Sequence, residues 1–178
     1  MGRHAEARER LWNSVEGLNE VQLRRPNADG WSILHVLEHL HLVEMRVAEA
    51  IMGVVKYPPM ENAQATESFE ARLLDRSHKI NAPETSRPKG AVTTVQEAKS
   101  LLSSSRDRLE TAIASARNAG VLHTHGFPHP AFGPMSVQQW YELIPLHELR
   151  HVAQIEEMKA ARTENPDGSA ASQGGVSC

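Results

Sequence analysis

The run Ser136-Val-Gln-Gln-Trp-Tyr-Glu-Leu-Ile-Pro-Leu-His-Glu-Leu-Arg-His-Val-Ala-Gln-Ile-Glu-Glu-Met158 decides how this chain folds. Trp140, Ile144, His147, His151, Gln154 and Met158 recur at steps of four and three, the spacing that keeps side chains on one stripe of an α-helix. Ser136 with Gln139 forms a capping box, and Met135 and Trp140 are placed as a hydrophobic staple, so a helix is expected from there to about Arg162. The stripe must face a core, yet two imidazoles sit in it. Side chains at i and i+4 stand about 6 Å apart, which suits shared coordination of one ion by neutral ring nitrogens. The alternative is two core histidines satisfied by hydrogen bonds, which leaves several polar groups to partner. Pro145, inside the helix, removes a backbone hydrogen bond just before the pair; it either makes room beside the site or is a tolerated surface proline.

Working outward, residues 5–18 carry Leu11, Trp12, Val15 and Leu18 at helical spacing. A polar loop with Pro26 and Gly30 follows, and Ser32 then caps a second helix to about Met52, with Trp31 and Val36 as staple. Between Gly53 and Thr93 the chain is broken by Pro58, Pro59, Pro83 and Pro88, and only residues 67–80 show a short stripe at Phe69, Leu73 and Ile80. This reads as a long crossover with one short helix. Thr94-Val-Gln-Glu97 is a capping box for a third helix that stops at Asn118-Ala-Gly120, and the stretch 123–134 is expected to be irregular. The expectation is an all-α, antiparallel four-helix bundle over residues 1–163, with the crossover between helices two and three and a disordered tail at 164–178.

Composition excludes more than it assigns. The net charge of -3 is spread without a basic patch, which argues against nucleic acid. No apolar run approaches a membrane span, and the single cysteine, Cys178, excludes an intramolecular disulfide, so a cytoplasmic protein is expected. Ten histidines outnumber the three Trp, three Phe and two Tyr together.

A third ligand can come from helix two, which carries His35, His39 and His41 beside the apolar stripe Ile33, Val36, Leu37, Leu40, Val43, Val47 and Ile51. His39 and His41 border the stripe on opposite sides and periodicity alone does not choose between them, although Val36 and Val43, the i-3 and i+4 neighbours of His39, favour it slightly. Glu44 lies nearer the core face as a fourth ligand, a partner that fixes an imidazole, or an ordinary helix-edge carboxylate. His123, His125 and His129 offer a separate loop site, and His4 and His78 are expected to be exposed. His147-Glu-Leu-Arg-His151 also matches the H-E-x-x-H pattern of zinc proteases, in which Glu148 would be the general base; the alternative for Glu148 is a surface helix residue. Those proteases carry a sheet, which is not visible here.

The segment Gly30-Trp-Ser-Ile-Leu-His-Val-Leu-Glu-His-Leu40, the Ala82-Pro-Glu84 element and the run from Phe132 through Ile155 resemble, in order and spacing, the motifs of the DinB-like superfamily. The resemblance implies a four-helix bundle, often a homodimer, with a solvent-open three-histidine metal site. Its ligands would be His39, His147 and His151, with His41 as a bystander or lining group. Some members are metal-dependent transferases or isomerases using low-molecular-weight thiols such as bacillithiol, mycothiol or glutathione, while many have no known activity. The resulting expectation is a divalent ion (zinc, nickel, iron or manganese) activating a thiol cosubstrate or water for S-transfer or hydrolysis on a small molecule. A non-enzymatic, stress-associated or small-ligand binding bundle is the competing class, and an H-E-x-x-H metalloprotease the third.

Overall fold

The long helices that start at Ile33, Val95 and Val137 begin where their capping residues place them. In the computed structural model, which describes residues 2–54, 56, 58–60, 69–77 and 81–164, the elements are α1 Arg3–Val15, α2 Glu20–Arg24, α3 Ile33–Val54, α4 Phe69–Leu74, a 3-10 turn Glu84–Ser86, α5 Val95–Asn118, β1 Gly126–His129, β2 Gly133–Ser136 and α6 Val137–Glu164. Ser32 Oγ accepts the His35 amide (3.2 Å) while His35 Nδ1 accepts the Ser32 amide (3.1 Å), so an imidazole replaces the usual Glu or Gln of a capping box. Ser136 and Gln139 make the same reciprocal pair at α6 (3.2 and 2.9 Å).

The expected helices α1, α3, α5 and α6 are present, and three details differ. The loop after Leu18 contains α2, started by a capping box in which Asn19 and Gln22 exchange hydrogen bonds of 2.9 Å. The stretch expected to be irregular forms an antiparallel ribbon, Gly126 opposite Ser136 and His129 opposite Gly133. Only glycine fits at 126, where a Cβ would lie 2.0 Å from the Met135 carbonyl oxygen. Of the predicted helix 67–80, α4 is seen; His78, Ile80 and the tail from 165, Cys178 included, lie outside the described residues. Pro145 is buried and α6 runs through it, so it is not a surface proline.

The bundle is not simply antiparallel. The starts of α3 and α5 share one apolar cluster (Leu37 with Leu102) and their ends share another (Ile51 with Ile113), so the two run parallel, as a crossover that returns the chain to its starting end requires. α6 runs opposite to α3, and α1 runs with α6, Arg8 meeting Glu148 and Ser14 meeting Lys159.

The two clusters are separated by a polar layer. One cluster ends at Leu40 on α3, Leu102 on α5 and Ile155 on α6; the other starts at Val47, Leu109 and Leu146. Fully buried Leu37, Ile51, Leu109 and Ile113 each contribute roughly 1.5–3 kcal/mol of apolar burial, which offsets the cost of placing charged and imidazole groups between them. No helix among the described residues is long and apolar enough to cross a membrane.

Candidate metal centre

His39 on α3 and His147 and His151 on α6 converge at one side of the polar layer. His39 Nε2 lies 3.3 Å and His151 Nε2 3.1 Å from His147 Nε2, and one ring nitrogen from each of the three lies within 4.8 Å of the others. Two nitrogens bound to the same ion at about 2.0–2.2 Å, subtending a tetrahedral or octahedral angle, stand roughly 3–3.5 Å apart. The two measured separations match that spacing.

Hydrogen bonds on the far side of two rings determine which nitrogen is available. A carbonyl only accepts, so His39 Nδ1–H donates to Ser86 O at 2.7 Å and its Nε2 keeps a lone pair. His151 Nδ1–H donates to Gln154 Oε1 at 2.7 Å with the same result. Burial depresses the pKa of all three, well below the usual histidine range for His147, where His151 and His39 add to it, and for His151, where His39 does. The His39 and His151 Nε2 lone pairs converge on His147 Nε2, and a cation at that point would be a partner common to all three rings.

The crossover is held to α3 by the residue before the ligand. Glu38, 4% exposed, accepts the amides of Lys89 (2.9 Å), Gly90 (2.9 Å) and Ala91 (3.0 Å), a backbone nest closed around a carboxylate. Gly90 has φ +77°, within the left-handed region that favours glycine. This anchor carries the Ser86 carbonyl to His39. On the other flank, Arg150 donates to Leu73 O and Asp75 O (both 2.7 Å), pinning the end of α4 beside His151.

The triad opens onto a pocket of about 850 Å³ with Trp31, Phe127, Trp140 and Leu143 among its apolar lining. His129, also on the lining, stacks on Phe132 with ring centroids 4.5 Å apart, and burial lowers its pKa to about 4.

The remaining candidates fall elsewhere. His41 turns to α5 and donates from Nδ1 to Leu101 O (3.1 Å), which separates it from the triad. Glu44 is neither a ligand nor a helix-edge carboxylate: it is 2% exposed and receives Arg8 (3.1 Å), Arg106 and Ser105 Oγ (2.7 Å). Glu148, expected as a general base or as a surface residue, is 2% exposed and accepts from Arg8 Nε at 2.6 Å, with Arg106 at 3.4 Å. It does not line the pocket, because adjacent residues on a helix point about 100° apart and His147 already faces the site. That placement removes the base an H-E-x-x-H protease needs. Burial raises the Glu148 pKa, while Arg8 and Arg106 pull it down. His4 is not exposed but half-buried, its ring stacked on Tyr141 at 4.1 Å. Among the described residues, the group of three potential ligands that come together is His39, His147 and His151, so the loop histidines form no second centre. Ser86 was not legible as a site residue, since its contribution is a backbone carbonyl; Gln154 was visible as a polar residue in the α6 seam.

Fold and site together define a helical bundle with a three-histidine constellation open to a pocket. The DinB superfamily profile matches residues 3–155, and the chain belongs to that superfamily. It is 33% identical over 155 residues to the uncharacterized protein YuaE of Bacillus subtilis (strain 168), covering 86% of this chain and 93% of that one. In fold it resembles the crystal structure of TT2238, a four-helix bundle protein, at a TM-score of 0.51 and 22% identity, over 90% of this chain and 94% of the other.

Proposed function

We propose that the chain is a metal-dependent enzyme in which His39, His147 and His151 hold one divalent ion and a small-molecule thiol or water is activated for S-transfer or hydrolysis. The observation that carries this is the orientation of the donors: Ser86 and Gln154 take the Nδ1 protons, so the Nε2 lone pairs of His39 and His151 meet His147 Nε2 at one point on the pocket floor. Zinc, nickel, iron and manganese all accept such a set. A bound ion would supply Lewis acidity, lowering the pKa of a coordinated thiol or water toward neutrality. The chain's own residues do the rest. Three protein donors leave room at the ion on the side of the pocket, in contrast to a closed four-ligand structural site. Trp31, whose ring centroid lies 5.2 Å from that of His39, and Trp140 on the lining restrict water on that side. With Glu148 bound by arginines, the one carboxylate among the described lining residues is the exposed Asp29, which favours a nucleophile whose proton leaves through solvent and a thiol over water.

The test is metal content per chain of untagged protein by mass spectrometry, together with turnover of a thiol panel and an electrophile, compared with His147→Ala. Near-stoichiometric metal and thiol-dependent turnover in the parent, both lost in the variant, are expected. Parent and variant equally metal-free after reconstitution would sink the proposal and favour a non-enzymatic binding bundle.

A further inference from the structure

The charge of the pocket differs in sign from that of the chain. The protein carries a net -3, yet the pocket lining includes Arg46, Arg76, Arg87 and Arg150, with Asp29 as the one carboxylate among the described lining residues. Three of these arginines are occupied. Arg76 makes a bidentate pair with Glu157 (2.6 Å twice), Arg87 pairs with Glu84 at 3.2 Å, and Arg150 is buried on the carbonyls of Leu73 and Asp75. Arg46 is exposed at the rim and has no hydrogen bond or ion pair with any described residue. It lies on α3 two turns beyond His39, about 10 Å along the helix axis.

We infer that this pocket selects ligands with an anionic group, a carboxylate by preference, which Arg46 receives at the rim while the ligand's donor atom faces the three Nε2 atoms. The inference rests on the metal-site reading above and adds the substrate class to it. Low-dielectric walls strengthen the field of an uncompensated charge, here that of Arg46, and the apolar lining from Trp31, Val43, Val47 and Phe127 supplies such walls. A planar guanidinium without a partner among the described residues, on the lining of a cavity, matches a carboxylate in two parallel hydrogen bonds. Allowing for the reach of the arginine side chain, the distance between the two ends requires a ligand that separates its donor from its anion by several bonds. About 850 Å³ accommodates a molecule of tripeptide size.

The experiment is calorimetric titration of the metal-loaded protein with glutathione and with its diethyl ester, which keeps the thiol and removes both carboxylates. It is run on the parent and on Arg46→Gln, with metal content measured on each sample. Tighter binding of the acid by about fivefold, the scale of one solvent-facing charge pair, is expected in the parent. The preference should shrink as salt is raised and disappear in Arg46→Gln at unchanged metal content. Because Arg46 is an exposed helix residue, the variant should fold; Arg46→Glu, which should invert the preference, is a second check. Equal affinity for acid and ester in the parent would overturn the inference and leave the thiol reading standing. A preference that survives in Arg46→Gln would also overturn it. Binding of neither compound to metal-loaded protein would overturn both.

Discussion

Two polar clusters occupy the same layer of this bundle, and they solve the problem of burial in opposite ways. On one side, Arg8, Glu44, Arg106 and Glu148 bring two cations and two carboxylates together, closed by Ser105. The charges compensate within the protein. On the other side, His39 and His151 turn Nε2 lone pairs toward His147 Nε2 beside a pocket, and among the described residues no charged side chain is paired with them. Sequence neighbours are divided between the two: Glu148 faces the ion cluster and His147 the pocket. The first cluster balances its charges within the chain, although Arg106 Nη2 and Glu148 Oε2 make no hydrogen bond among the described residues, whereas the second, on the proposed reading, is completed by a metal ion. A buried charge pair costs desolvation that mutual attraction repays, while removing one partner leaves the other charge stranded.

The largest expected effect is on the closed cluster. Glu44→Ala strands Arg8 and Arg106, and urea unfolding should show a loss of about 3–5 kcal/mol, with the surviving folded protein still loading metal. A loss below about 1 kcal/mol would mean the cluster is not self-sufficient. Next, His151→Ala should weaken metal affinity by at least about 100-fold. The parent should gain roughly 2.7 kcal/mol of stability at a free metal concentration 100 times Kd, a gain the variant lacks and a chelator reverses. Melting curves unmoved by metal or chelator in the parent would erase the contrast between the clusters.

A smaller effect sharpens the role of ring orientation. Gln154→Ala leaves all three ligands but frees the His151 ring, and metal affinity should fall about tenfold; an unchanged affinity would show that packing alone orients the ring. The smallest effect concerns pH. Burial, and after it Arg106, lower the His4 pKa from 6.5 to about 4. The unfolded chain therefore binds the proton first, and stability is retained above pH 6.5 and lost as pH falls toward 4. Because His4 is half-exposed, its share is discounted to about 1 kcal/mol. In metal-free protein, His4→Asn should flatten the decline between pH 6.5 and 4 by that amount, with the residual slope coming from the buried triad. Identical slopes would assign the whole pH dependence to the triad.

Much of the site was legible because helical periodicity is a local property. The four-three seam of α6 placed His147 and His151 on one inward face; a capping box located the start of α6, and the Thr94 cap that of α5, where Glu97 takes the Thr93 amide rather than closing the expected box. Asn19 with Gln22 was the same cue on a shorter scale. The ribbon was concealed by prolines and glycines in a stretch that pairs only through two short edges, where Gly126 is required by the nearness of the Met135 carbonyl.

By itself, then, the chain's local pattern determined four long helices and an imidazole pair one turn apart on the last of them. Beyond what the family resemblance implied for His39, tertiary structure selected among the rest. His39 rather than His41 faces the pair, because the sense of α3 relative to α6 decides which flank of a stripe meets which neighbour, and helical spacing leaves both flanks equivalent. Glu44 and Glu148 became ion-pair partners rather than a ligand and a base because Arg8 and Arg106 reach them from helices far away in sequence. The protonated nitrogen of His39 is set by a carbonyl 47 residues downstream. Periodicity reports the direction of a side chain from its own helix axis, whereas the group it meets depends on how the axes pack.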